Sequence, residues 1–314
     1  MKNRNFEQCF SQNDVILMEG ALGERLKREY GLTFDEHVKM ASLVYEEKGR
    51  AALKLLWNEY IDIARRYNLP FLATTPTRRT NSESAAKTKC QDSIINDNVQ
   101  FLRKIQQNSD IEMYVGALLG CHGDAYTGEG ALSETEAYSF HKWEAEHFKE
   151  AEADFLYAAL MPTLPEAAGM AKALSDTEIP YIISFTIQED GKLIDGTTIA
   201  EAIRYIDTCT DNNPICYMTN CVHPSIVCRA LNKAFNINEF VKNRFCGIQA
   251  NTSPLSYAEL DDCEDLKCSE PEVFAEEMLK LRDMTKMKIW GGCCGTDNRH
   301  MECVAKMLCS RIYR

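Results

Sequence analysis

Short apolar runs recur along the whole chain, and longer stretches between them repeat apolar positions at three- and four-residue spacing. The short runs predict strands over Val15–Met18, Phe71–Thr74, Met113–Leu119, Phe155–Met161, Tyr181–Thr186, Ile215–Thr219, Gly247–Ala250 and Lys288–Trp290. The longer stretches predict helical segments over Asp35–Tyr67, Ser82–Gln107, Ser133–Ala151, Leu164–Leu174, Thr198–Thr208, Ser225–Ala234, Pro271–Met284 and Asn298–Ile312. The first of these is free of proline and reads as two helices or one kinked near Gly49.

Strand and helix therefore alternate about eight times, the pattern of parallel strands joined by crossover helices. Eight such units in 314 residues predict a (β/α)8 barrel, since that fold typically needs about 250 residues. A doubly wound sheet is the competing arrangement, but neither G-x-G-x-x-G nor G-x-x-x-x-G-K-[ST] occurs. No repeat, low-complexity tract or Pro/Gly-rich linker divides the chain, so residues 1–314 are expected to form one domain.

Composition narrows the setting. Thirty-five Lys and Arg stand against 47 Asp and Glu, a formal charge of −12 that repels phosphate backbones and anionic lipid. Neither nucleic acid nor a membrane is an expected partner, and no run approaches the ~18–20 apolar residues that span a bilayer. The first residues lack an apolar signal-peptide core, so a cytoplasmic protein with reduced thiols is expected. That makes the 14 cysteines the feature to explain, because their irregular spacing in a long chain is unlike a secreted disulfide framework.

Barrel enzymes carry their chemistry at the C-terminal ends of the strands. There this chain has Glu19-Gly20-Ala21, Thr75-Pro76-Thr77-Arg78, Gly120-Cys121-His122, Met161-Pro162, Ile187-Gln188-Glu189, Asn220-Cys221-Val222-His223, Asn251-Thr252-Ser253 and Gly291-Gly292-Cys293-Cys294-Gly295-Thr296. In the last segment flanking glycines leave the backbone free to aim two successive thiols at one point. With a third thiolate from strand six they would make a three-cysteine zinc site with one open, catalytic position. Spacing alone equally allows ordinary buried thiols in a tight turn, since it does not locate a third ligand.

These residues carry a resemblance to the homocysteine S-methyltransferase family of zinc-dependent thiol methyltransferases, which includes the betaine-using enzymes and the homocysteine domain of methionine synthase. Met18 to Gly23 resembles the family's opening Asp-Gly motif, and Thr75 to Asn81 its segment after strand two. Ser184-Phe185-Thr186 with Asp195-Gly196-Thr197 resembles the region around strand five. Thr219-Asn220-Cys221 with Pro224 is similar to the Asn-Cys zinc motif, and Gly291 to Thr296 to the second zinc motif. The resemblance implies Cys221, Cys293 and Cys294 as zinc ligands and Glu19 and Asn220 as catalytic residues. It implies a substrate pocket involving Glu19, Arg78, Ala159 and His122.

The implied chemistry is methyl transfer to a thiol. A free thiol titrates near pH 8.5, and placement at an open zinc position makes it a thiolate at neutral pH. The donor would be S-adenosylmethionine, S-methylmethionine or a betaine-like ammonium compound. A sulfonium donor is favoured, because no folate or cobalamin module follows the barrel and the chain ends soon after the last helix. Three departures bear on the acceptor. The family's ammonium-binding glutamate near the end of strand four aligns with Ala159, its aromatic after strand two with Arg78, and its first-strand aspartate with Glu19. The expected acceptor is homocysteine, with Glu19 taking over its ammonium, or a related thiol without an α-ammonium and with a carboxylate for Arg78. The alternative is a zinc- or thiol-binding protein that has lost or changed the methylation reaction.

Other candidates read more plainly. His223 is expected to cap the helix before Pro224, Glu189 and Asp190 to form a solvated turn, and His141 and His147 to lie on the surface. Cys263 and Cys268, at C-x4-C spacing, form no zinc site alone.

Overall fold

The computed structural model describes residues 4–254 and 269–312. Eight parallel strands close on themselves in chain order: β1 Ile16–Met18, β2 Phe71–Thr74, β3 Met113–Gly120, β4 Phe155–Met161, β5 Tyr181–Phe185, β6 Cys216–Val222, β7 Phe245–Ala250 and β8 Ile289–Gly292. The ring closes where Ile16 and Leu17 of β1 pair with Ile289 and Trp290 of β8. This is the (β/α)8 barrel that the alternation predicts.

Each strand is buried on both faces, which is why the strands read as unbroken apolar runs. One set of side chains, including Met18, Leu72, Phe155, Tyr157, Ile182 and Met218, fills the barrel interior. The alternate set, including Leu17, Phe71, Val115, Leu156, Ile183 and Trp290, packs outward beneath the helices.

Twelve α-helices are described: α1 Phe6–Gln12, α2 Gly23–Tyr30, α3 Glu47–Tyr67, α4 Ser82–Ala85, α5 Ile94–Gln107, α6 Glu134–Glu150, α7 Leu164–Ser175, α8 Ile199–Cys209, α9 Pro224–Leu231, α10 Glu239–Arg244, α11 Pro271–Lys280 and α12 Asn298–Ile312. Three of them, α1, α2 and α10, lie outside the predicted segments; each has eight residues or fewer, too short for a 3.6-residue period to show. The expected Asp35–Tyr67 segment is instead a turn, a 3-10 helix over Met40–Tyr45 and then α3. Asp35 Oδ1 accepts from the N–H groups of His37 and Val38, and Lys39 turns to φ 52°, so the helix starts late. The Ser82–Gln107 segment divides into α4 and α5 in the same way.

Helix α1 closes the N-terminal end of the barrel. Phe6 is buried against Phe155, with ring centroids 4.6 Å apart, and against Tyr114 at 5.8 Å. The Arg4 guanidinium pairs with Glu112 just ahead of β3, and Lys288 Nζ donates to the carbonyl of Phe10. No helix among the described residues is long and apolar enough to cross a membrane.

Because α1 sits opposite the C-terminal face, its packing and the site's chemistry are separable. Phe6→Ala is expected to cost about 3–5 kcal/mol in a denaturant titration. Metal stoichiometry of the folded variant should equal that of the wild type.

Candidate metal centre and adjoining cavity

Two irregularities at strand ends build the site. In β6 the pairing with β7 shifts register between Asn220 and Val222, and Cys221 between them takes φ 56°. A β-bulge in which a non-glycine residue adopts left-handed backbone is costly, and here it turns one thiol out of the alternation. The strand therefore runs three residues past the predicted end at Thr219, because the ladder resumes at Val222 opposite Ala250. In β4 the register shifts between Ala158 and Met161, with Leu160 at φ 63°. Asn220 Oδ1 joins the two bulges, accepting from Leu160 N–H at 3.2 Å and from Ser184 Oγ at 2.7 Å.

The second pair of thiols follows β8. Cys293 N–H donates to the Ala250 carbonyl, Thr252 N–H to the Cys294 carbonyl, and Gly295 N–H to Glu24 Oε2 at 2.7 Å. Thr296 Oγ1 donates to the Cys293 carbonyl and accepts from Ala21 N–H. Gly295 has φ 80°, and a Cβ there would lie 2.0 Å from Thr252 Oγ1, so glycine is required by both backbone and space. The turn is thus held by β1, α2 and β7 together.

These constraints bring Cys221, Cys293 and Cys294 together, with all three sulfurs within 4.8 Å of one another. Cys221 Sγ lies 3.7 Å from Cys294 Sγ, and Cys293 Sγ 4.0 Å from it. Cys221 and Cys293 are joined as a disulfide, contrary to the expectation of reduced thiols; their Cα atoms, 5.4 Å apart, fall within the span of an ordinary disulfide. Reduced, the three sulfurs are a donor set suited to a thiophilic metal ion with one position left open. Burial pushes the Cys294 thiol up to about 11, with Glu24 adding to the rise and Arg78 opposing it. Metal loading must therefore displace protons.

A cavity of about 220 Å³ adjoins the thiols, lined among others by Glu19, Glu24, Thr74, Arg78, Tyr126, Ala159, Asn220 and Gln249. Glu19 is buried beneath it, with Trp57 Nε1–H and Thr74 N–H each donating to Oε2 at 3.0 Å and the Thr74 hydroxyl to Oε1. Burial outweighs these bonds and raises its pKa to about 7. Arg78 reaches the cavity because Gly120 makes room: a Cβ there would stand 2.3 Å from the Arg78 carbonyl. Ala159 is 1% exposed and faces the cavity.

His122 does not line the cavity. Its ring meets the Gly130 carbonyl at 2.9 Å and the edge of Phe140, and its N–H donates to Glu166. His223 caps α9, accepting from Ser225 N–H. Glu189 is exposed and pairs with Arg229 ahead of the turn at Gly191. His141 is fully buried rather than on the surface, set between Glu144 and Glu166 where α6 packs on α7. The two carboxylates raise its pKa to about 9 against the opposing effect of burial. Its lone position on a helix face carried no signal of this pairing. Cys263 and Cys268 lie outside the described residues. Helix α2 with Glu24, and Gln249, are cavity residues that sequence reasoning missed; only their position just beyond or within a strand end pointed to them.

A parallel barrel thus carries a cluster of three cysteines that could hold a metal ion, beside a small cavity at its C-terminal face. The chain belongs to the homocysteine S-methyltransferase family, whose model matches residues 16–308. Its fold is similar to that of the Escherichia coli homocysteine methyltransferase MmuM. The metallated form superposes with a TM-score of 0.72 at 16% identity, covering 96% of this chain and 98% of that one. The oxidized form gives 0.73 at 17% identity, covering 95% and 97%. No curated protein sequence matches the chain.

Removing one thiol should abolish tight metal binding. After reduction, Cys294→Ala is expected to hold well under one metal ion per chain by elemental analysis; full stoichiometry in that variant would overturn the ligand set. The folded protein binds the Glu19 proton more tightly than the unfolded chain does. Its contribution to stability is complete below about pH 4.5 and is lost as pH rises through 7. A carbon-detected titration of the Glu19 carboxyl should show a midpoint near 7, and a midpoint at 4.5 or below would mean that the Trp57 and Thr74 bonds outweigh burial.

Proposed function

We propose that the protein is a zinc-dependent thiol S-methyltransferase that moves a methyl group from a sulfonium or ammonium donor to a small thiol. The observation that carries this reading is the convergence of Cys221, Cys293 and Cys294 beside an open cavity at the C-terminal face. When bound there by the three thiolates, zinc would supply a Lewis-acid position that lowers the pKa of an acceptor thiol.

The chain's own residues hold the reactants. In the transfer a carbon–sulfur bond forms to the acceptor while the donor's carbon–sulfonium or carbon–ammonium bond breaks, leaving a neutral thioether or amine. The acceptor's proton leaves to solvent. Asn220 acts as a positioning residue, fixing the β6 bulge that aims Cys221 through its bonds to Leu160 and Ser184. Glu19 braces β1 against β2 and α3 and places negative charge beneath the cavity once ionised, which suits a cationic donor. Arg78 and Ala159 border the acceptor's remaining atoms. His122, outside the cavity lining, serves by shaping the loop after β3.

A second reading is a zinc- or thiol-binding protein of this fold without turnover, favoured by Ala159, which leaves the inner end of β4 without a charged group. Activity decides between them. The reduced, zinc-loaded protein is expected to methylate at least one member of a thiol panel with S-methylmethionine, S-adenosylmethionine or betaine, detected by mass spectrometry. Stoichiometric zinc with no methylated thiol from any donor would favour the second reading. A place in the cytoplasm goes with the leading reading, and a role in methionine formation goes with it only where homocysteine is the acceptor.

A further inference from the structure

The charges around the cavity do not match an amino-acid thiol. Two carboxylates line it, and both are occupied. Glu19 takes bonds from Trp57 and Thr74 on both oxygens, and Glu24 accepts from Gly295 N–H on one oxygen while Arg28 faces the other at 3.9 Å. The β4 residues that line the cavity are Ala159 and Leu160, whose side chains offer no polar atom. An α-ammonium entering here would meet only carboxylates whose oxygens already accept bonds from the protein, and no charged side chain from β4.

The opposite holds for an anion. The Arg78 guanidinium borders the cavity and has no hydrogen bond or ion pair among the described residues. Its neighbour Arg79 is committed to the carbonyls of Cys121, His122 and Gly123, so the two successive arginines have divided into a structural cation and a free one. Arg78 and Cys294 both line this cavity. A guanidinium presents a planar fork of donors that matches a carboxylate in two-point contact. With about 220 Å³ available, below the ~300–1,000 Å³ of pockets for drug-sized ligands, the cavity suits a thiol of a few carbons.

We infer that Arg78 is a specificity-determining residue and that the acceptor is a short mercapto-carboxylate without an α-ammonium, its sulfur directed to the three-cysteine centre and its carboxylate to Arg78. This rests on the thiol-methyltransferase reading, which it narrows to a substrate class.

The test is calorimetric titration of the reduced, zinc-loaded protein with 4-mercaptobutanoate, homocysteine and 1-butanethiol, which differ only in their ammonium and carboxylate groups. 4-Mercaptobutanoate is expected to bind about tenfold or more tightly than either of the others. Arg78→Met should remove that advantage over 1-butanethiol, and Arg78→Lys should recover part of it. Homocysteine binding as tightly as 4-mercaptobutanoate, or Arg78→Met leaving 4-mercaptobutanoate unaffected, would overturn the inference while leaving thiol methylation standing. Binding and methylation of none of the three would overturn the thiol-methyltransferase reading, and this inference with it.

Discussion

Three thiols meet at one point because strand β7 is the only strand between the two that carry them. Cys221 leaves β6 and Cys293 and Cys294 leave the end of β8, and parallel strands about 4.8 Å apart would hold their sulfurs too far apart in a regular ladder. The bulge at Cys221 and the glycine turn at Gly295 close that gap from both sides. Everything else at the C-terminal face supports those two distortions. Asn220 ties the β6 bulge to β4 and β5, while Glu24, Ala21 and Ala250 anchor the turn after β8. Backbone strain of this kind persists only where the surroundings over-determine it, and here four elements do so.

The same anchoring shapes the cavity's electrostatics. Each carboxylate lining the cavity does structural work, so negative charge is present but satisfied, while Arg78, which borders the same cavity, has no hydrogen bond or ion pair among the described residues. A barrel interior gives little room for adjustment, since its layers are filled from Phe6 upward to Tyr157 and Gln249. What can enter therefore depends on the few side chains that line the cavity, the cationic Arg78 and the small, uncharged Ala159 among them.

Much of the architecture was legible in the chain. The eight apolar runs mark all eight strands, because parallel strands covered on both faces need nearly continuous apolar sequence. The meeting of Cys221, Cys293 and Cys294 was expected as well, from the glycines that flank two of them and from the resemblance of the Asn220-Cys221 pair to a family motif. The short helices α1, α2 and α10 were not, having too few turns for a period to appear, and His141 read as a surface residue because its partner Glu166 lies on another helix.

By itself, then, the sequence determined the order of strands and helices, the family and the residue types available at each strand end, since these depend on local periodicity and motif. Only the tertiary structure decided which of those residues meet. The bulge that lets Cys221 reach Cys294, the occupation of Glu19 by Trp57 and of Glu24 by Gly295, and the isolation of Arg78 all arise from contacts between segments far apart in the chain. Closure of the barrel sets those contacts, and no local pattern records them.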